Sequence, residues 1–178
     1  MLLICSNIVR AQEKYEKEVR VKAAEVPPKA TALIKGLNLD VREKWYKEYN
    51  LDNIHYELKF RLRMSLWSVE FDESGNLEDV EILHTFRSLS TEEKRAISAF
   101  LDQRFSKWKI DRIQKQYKIS ASSLPQLVDN PGTDYNFEFE VTVREAGEWK
   151  RYEFLSDTSM RLISKRIIRP VTDLNLEF

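Results

Sequence analysis

Two stretches of the chain carry apolar residues at helical spacing, and each is followed by runs in which apolar and polar residues alternate. VPPKATALIKGL (26–37) sets Ala30, Leu33, Ile34 and Leu37 at i, i+3, i+4 and i+7, the stripe of an amphipathic helix. Pro27 and Pro28 suit its entry, where a missing N–H leaves no bond unmade. LSTEEKRAISAFLDQRF (89–105) lines up Ile97, Phe100, Leu101 and Phe105 on one face. Ser90 with Glu93 forms a capping-box pattern, and Glu92 and Glu93 complement the positive end of the helix dipole.

After each helix the period drops to two. WYKEY (45–49), IHYELKFRL (54–62), WSVEFDESGNL (67–77) and DVEIL (79–83) follow the first. IQKQY (113–117), FEFEVTV (137–143), YEFLSDTSMRL (152–162) and ISKRII (163–168) follow the second in the same order. Asp72/Ser74/Leu77 and Asp157/Ser159/Leu162 share an Asp-x-Ser-x-x-Leu spacing. This order predicts an α+β fold of two tandem helix-plus-antiparallel-sheet repeats, with the helices packed on one sheet face. The repeats span 12–86 and 87–178, and the second carries an inserted loop at 119–134, ISASSLPQLVDNPGTD, rich in turn residues and expected to hold at most one helical turn. Alternation also predicts that the opposite sheet face is polar and wet.

The first residues differ in kind. MLLICSNIVRAQ is apolar and places Val9 and Ala11 before a charged run, the small-residue spacing of a signal-peptidase site. Residues 1–11 therefore read as a truncated signal-peptide remnant, or as a short N-terminal strand, and the first reading predicts a periplasmic or secreted protein. Cys5, the one cysteine, lies in this segment, so cleavage after Ala11 leaves no thiol for disulfide or nucleophile. No other apolar run is long enough to span a bilayer.

With these features in view, VP-x-x-A-x-x-x-I at 26–34, KWYKEY at 44–49 and FD-x-x-GNL-x-x-VE at 71–81 resemble the PepSY-like repeat proteins of Bacteroidetes. Their group has a fold resembling beta-lactamase inhibitor protein. The resemblance implies an extracytoplasmic, non-catalytic protein that binds or restrains another protein, and it supplies no site residues. The second half departs from it, with Met160 and Arg161 where the first has Gly75 and Asn76.

Composition narrows the chemistry. At 178 residues, 42% of them hydrophobic, the chain has apolar material for a core. Its 29 basic and 29 acidic residues cancel and are interleaved, which argues against nucleic acid as a partner. The two histidines, His55 and His84, sit at no metal-ligand spacing, and no G-x-S-x-G elbow accompanies them. DESGNLEDVE puts Gly75 fourth from Asp72, where an EF-hand loop needs glycine sixth. That stretch reads as a hairpin turn, with Gly75 and Asn76 tolerating positive φ. The sequence thus predicts no catalytic residues, no metal site and no cofactor. The many acids read as solvated strand faces, and Tyr46 and Trp149 are the aromatics whose phase opposes an apolar neighbour.

The reading is a non-catalytic extracytoplasmic binding or inhibitory module acting on a protein of the cell envelope, through its polar sheet face or the 119–134 loop. The alternatives are a small-molecule carrier or cystatin-like enzyme with a cavity between helix and sheet, and an envelope protein that self-associates through an edge strand.

Overall fold

Among the described residues, alternation along the chain resolves into ten strands that hydrogen-bond into one sheet. The structure is a computed structural model that describes residues 12–14, 17–49 and 53–168. The signal-peptide reading of residues 1–11 lies outside the described residues. In chain order the elements are β1 (Gln12–Lys14), β2 (Lys17–Val21), α1 (Pro28–Gly36), β3 (Lys44–Tyr49), β4 (Ile54–Leu62), β5 (Ser65–Asp72) and β6 (Leu77–His84). There follow α2 (Thr91–Asp102), β7 (Trp108–Tyr117), α3 (Leu124–Asp129), β8 (Asn136–Glu145), β9 (Glu148–Ser156) and β10 (Leu162–Ile168).

The sheet order is β1-β10-β9-β8-β7-β6-β5-β4-β3-β2. Every pairing is antiparallel except β1 on β10. This corrects the predicted fold class, because the chain does not form two tandem helix-plus-sheet repeats. Strands β6 and β7 pair from Val80↔Tyr117 to His84↔Ile113, and so carry the sheet without a break across the middle of the chain. Period-two patterning identifies strands and their faces but carries no information on which strands become neighbours, and that is where the expectation failed.

Register fixes what shares a face, since directly paired residues point the same way. Trp45, Leu58, Val69, Val80 and Tyr117 run across one face, and Phe139 and Phe154 continue it. Helix α1 buries Ala30 and Ile34 against this face, α3 buries Leu124, Leu127 and Val128 in the same cluster, and α2 buries Ile97, Phe100 and Leu101 against Phe139, Val141 and Phe154. The 119–134 segment is therefore more than a surface loop. Although it lies late in the chain, its helix packs on β3–β6, and Arg63 of the β4–β5 turn donates to the carbonyls of Val128 (3.1 Å) and Asp129 (2.6 Å). Both hydrophobic clusters take up Tyr135, which joins the core from end to end.

The caps match the sequence. Ser90 Oγ accepts from Glu93 N–H at 3.2 Å, and Glu93 returns a bond to Ser90 N–H at 2.6 Å. Strands β1 and β2 were not anticipated, because their charged residues hid them among the polar N-terminal sequence.

Candidate functional site

Among the described residues the helices leave the other sheet face uncovered, and here the acids of the alternating runs converge. Glu57, Lys59, Ser68, Glu70, Asp79, Glu81, Gln114, Gln116 and Glu153 lie on it by register. The expectation of a wet polar face is corrected for its centre, because Glu57, Asp79, Glu81, Gln114, Gln116 and Glu153 are all buried. Among the described residues no helix covers them. Long side chains on neighbouring strands, only about 4.8 Å apart, shield one another from solvent.

These groups line a depression of about 340 Å³. Nine carboxylates border it, from Glu18, Glu48, Glu57, Glu70, Glu78, Asp79, Glu81, Glu138 and Glu153, against the four cations of Lys59, Arg112, Lys118 and Arg166. An excess of negative charge in a low-dielectric hollow attracts cationic groups. A second hollow of about 370 Å³, bordered by Arg42, Lys44, Tyr46, Arg61 and Leu66, adds a basic patch beside it.

Two carboxylate trios form within the depression, each with oxygens within 4.8 Å of one another: Glu18, Glu48 and Glu57, and Glu70, Asp79 and Glu81. The first contains its own cation. Lys59 Nζ lies 2.8 Å from Glu18 and 2.7 Å from Glu57, while Ser68 donates to the other Glu57 oxygen. Burial works against the Lys59 ammonium, but the two carboxylates outweigh it and raise its pKa. In the second trio Lys118, a half-exposed side chain, lies 2.7 Å from Asp79 Oδ2, and Gln114 donates to Glu81. Burial together with the charges of Asp79 and Glu81 pushes the Glu70 carboxyl well up, and burial raises Asp79 as well. Among the described residues, Glu57 Oε2, Asp79 Oδ1 and Gln116 Oε1 are buried without a hydrogen-bond partner.

His55 lies on β4 and His84 at the end of β6. His55 Nδ1 contacts Glu78 at 2.5 Å, and His84 has its pKa lowered by burial and then by Lys115. Among the described residues neither is hydrogen-bonded to a serine or threonine hydroxyl. The space beneath the helices is filled by Leu58, Val69, Phe71, Ile97, Phe139 and Phe154, so the hollow lies on the opposite side from the cavity that a carrier reading requires.

Trp149 and Tyr46 do lie on the uncovered face. Tyr46 sits under Lys59, 4.8 Å from the ring centre, while Trp149 is 59% exposed, four residues along β9 from Glu153. The DESGN stretch is a turn. Asp72 Oδ1 accepts from Ser74 N–H (2.9 Å) and Asn76 N–H (2.8 Å), and Gly75 has φ +79°. Asp157 does the same for Ser159 and Arg161, with Met160 taking the positive φ.

No family model matches the chain, and no curated protein matches it. Solved structures share its fold. A DUF2874 family protein from Bacteroides uniformis superposes with a TM-score of 0.55 at 14% identity, covering 80% of this chain and 89% of that one. A DUF2874 family protein from Bacteroides ovatus gives 0.52 at 13% identity, over 80% and 87%. A BLIP-like protein from Bacteroides fragilis gives 0.51 at 16% identity, over 83% and 90%. These likenesses support the BLIP-like fold group; they carry no PepSY-like repeat assignment.

Proposed function

We propose that this chain is a non-catalytic binding module that receives a basic segment of another protein on the uncovered face of its sheet. One observation carries the reading: a carboxylate-rich depression on a large sheet face that no helix covers among the described residues. Its excess of acid selects lysine or arginine on the partner, and Trp149 on the same face is the kind of rigid aromatic that anchors interfaces. The likeness to a BLIP-like protein is consistent with a module of the inhibitory or restraining kind. The Val9-x-Ala11 spacing leads us to place the partner outside the cytoplasm.

The test uses the full chain as bait against envelope extract, beside a Glu48→Lys/Glu138→Lys variant shown by circular dichroism to be folded. Proteins retained by the wild type at low salt, eluted by ~0.5 M salt and lost with the variant support the reading. Retention of the same proteins by both baits at both salt concentrations overturns it.

A further inference from the structure

We infer that the hollow bordered by Arg42, Lys44, Tyr46, Arg61 and Leu66 binds one small organic phosphate. The three cations hold the oxyanion, and its apolar body lies against Tyr46 and Leu66. Strand phase and register bring these groups together. Arg42, Lys44 and Tyr46 share one phase, while Glu43, out of phase with them, accepts from the Trp45 indole at 2.9 Å. Lys44 on β3 stands directly opposite Lys59 on β4, and Arg61 on β4 directly opposite Leu66 on β5. The space they border is about 370 Å³, within the range of small-molecule sites.

Three features mark the place as an anion site rather than a solvated edge of the sheet. The first is uncompensated charge. Among the described residues none of Arg42, Lys44 and Arg61 forms an ion pair or a side-chain hydrogen bond, whereas Lys118, Arg151 and Arg166 on the same face each hold a carboxylate. The second is a like-charge pair. Lys44 and Lys59 face each other directly across their strands, which costs stability unless anions meet them. Glu18 and Glu57 meet Lys59 at 2.8 and 2.7 Å; no carboxylate among the described residues meets Lys44. The third is an apolar wall. Tyr46 and Leu66 are half-buried side chains on a charged face, and Lys59, 4.8 Å from the Tyr46 ring centre, holds that ring in place.

Two guanidinium forks and one ammonium suit a tetrahedral oxyanion, because arginine bonds phosphate oxygens in pairs and lysine adds a point charge. Three uncompensated positive charges favour the dianion of a phosphate monoester over a single carboxylate. The ring and the leucine favour an ester with an apolar body over the bare ion, which leaves them in water. This inference does not depend on the protein partner proposed for the acidic depression.

The test is isothermal titration of the full chain with phenyl phosphate at ~50 mM salt, beside inorganic phosphate, phenol and hexaglutamate. The expected result is one phenyl phosphate per chain with a dissociation constant at or below ~1 mM, about fivefold or more tighter than inorganic phosphate, and no saturation by phenol. Lys44→Gln and Arg61→Gln, each shown by circular dichroism to be folded, should weaken phenyl phosphate about tenfold, while Lys94→Gln on α2 should change it less than about twofold. Tyr46→Ala should bring phenyl phosphate down to the affinity of inorganic phosphate and leave the latter unchanged, which separates the wall from the charges. The inference is overturned by no saturable binding of phenyl phosphate up to ~10 mM, or by equal binding to wild type and both glutamine variants. Inorganic phosphate or hexaglutamate binding as tightly as phenyl phosphate overturns it as well.

Discussion

At the scale of single residues, positive backbone angles show where the chain is constrained. The β4–β5 hairpin turns on Arg63 and Met64 alone, with φ of 48° and 70°, a two-residue turn whose geometry favours Asn-Gly. Nothing in the letters Arg-Met announces such a turn, so it was illegible in the sequence. Arg63 repays its strain by bonding the carbonyls at the end of α3, but Met64 is 95% exposed. Met64→Gly should therefore raise stability by about 1 kcal/mol, measured as a higher urea midpoint with unchanged slope. Gly75 is the opposite case, legible in the sequence as a turn glycine. A Cβ there would meet Pro27 Cβ at 2.8 Å and the Ala30 nitrogen at 3.0 Å, because the hairpin tip abuts the start of α1. Gly75→Ala should lower stability by about 1–3 kcal/mol in the same assay, since both the angle and the clash oppose it.

Between elements, one charged cluster ties α2 to the sheet. Lys115 on β7 lies 2.7 Å from Glu93 in the first turn of α2, and Tyr135 donates to the same carboxylate at 2.5 Å. Burial opposes ionisation of Glu93, but the Lys115, Tyr135 and Ser90 hydrogen bonds prevail and hold its pKa down to about 2, from an ordinary 4.5. A folded-state pKa below the unfolded one contributes stability above pH 4.5 that is lost as pH falls towards 2. Wild type should exceed Glu93→Gln in unfolding free energy at pH 7, and the difference should shrink towards zero by pH 2. A difference independent of pH would show that the ion pair is not its source. The capping box of α2 was legible as Ser90-x-x-Glu93, whereas the lysine and tyrosine were not, because their meeting depends on how α2 lies across β7 and the start of β8. For the same reason the segment 119–134 read as a loop with no more than one helical turn: its apolar residues are few, and their burial depends on β3–β6, far earlier in the chain.

Over the whole molecule, the sequence hid the acidic depression in two ways. A balance of 29 basic and 29 acidic residues suggests no field at all, yet tertiary structure separates the signs into an acidic centre and a basic patch around Arg42, Lys44 and Arg61. Alternation also placed the acids correctly on one face but could not show that they crowd together, which needs the strand order. Helices α1 and α2, most strands and both Asx turns could be read from local pattern; the single sheet could not. Trp149 was singled out by its phase and stands exposed on the uncovered face. Trp149→Ala should change stability by less than about 0.5 kcal/mol and weaken partner retention at least tenfold, as expected of an interface anchor that is not core.

The most direct measurement of the central claim is site-specific photo-crosslinking in envelope extract. A benzophenone amino acid replaces Glu138 or Trp149 on the uncovered face, or Lys94 on α2 as the control. The account predicts a discrete protein adduct from positions 138 and 149 that high salt suppresses, and none from position 94. Adducts from position 94 alone, or from none of the three, would contradict it.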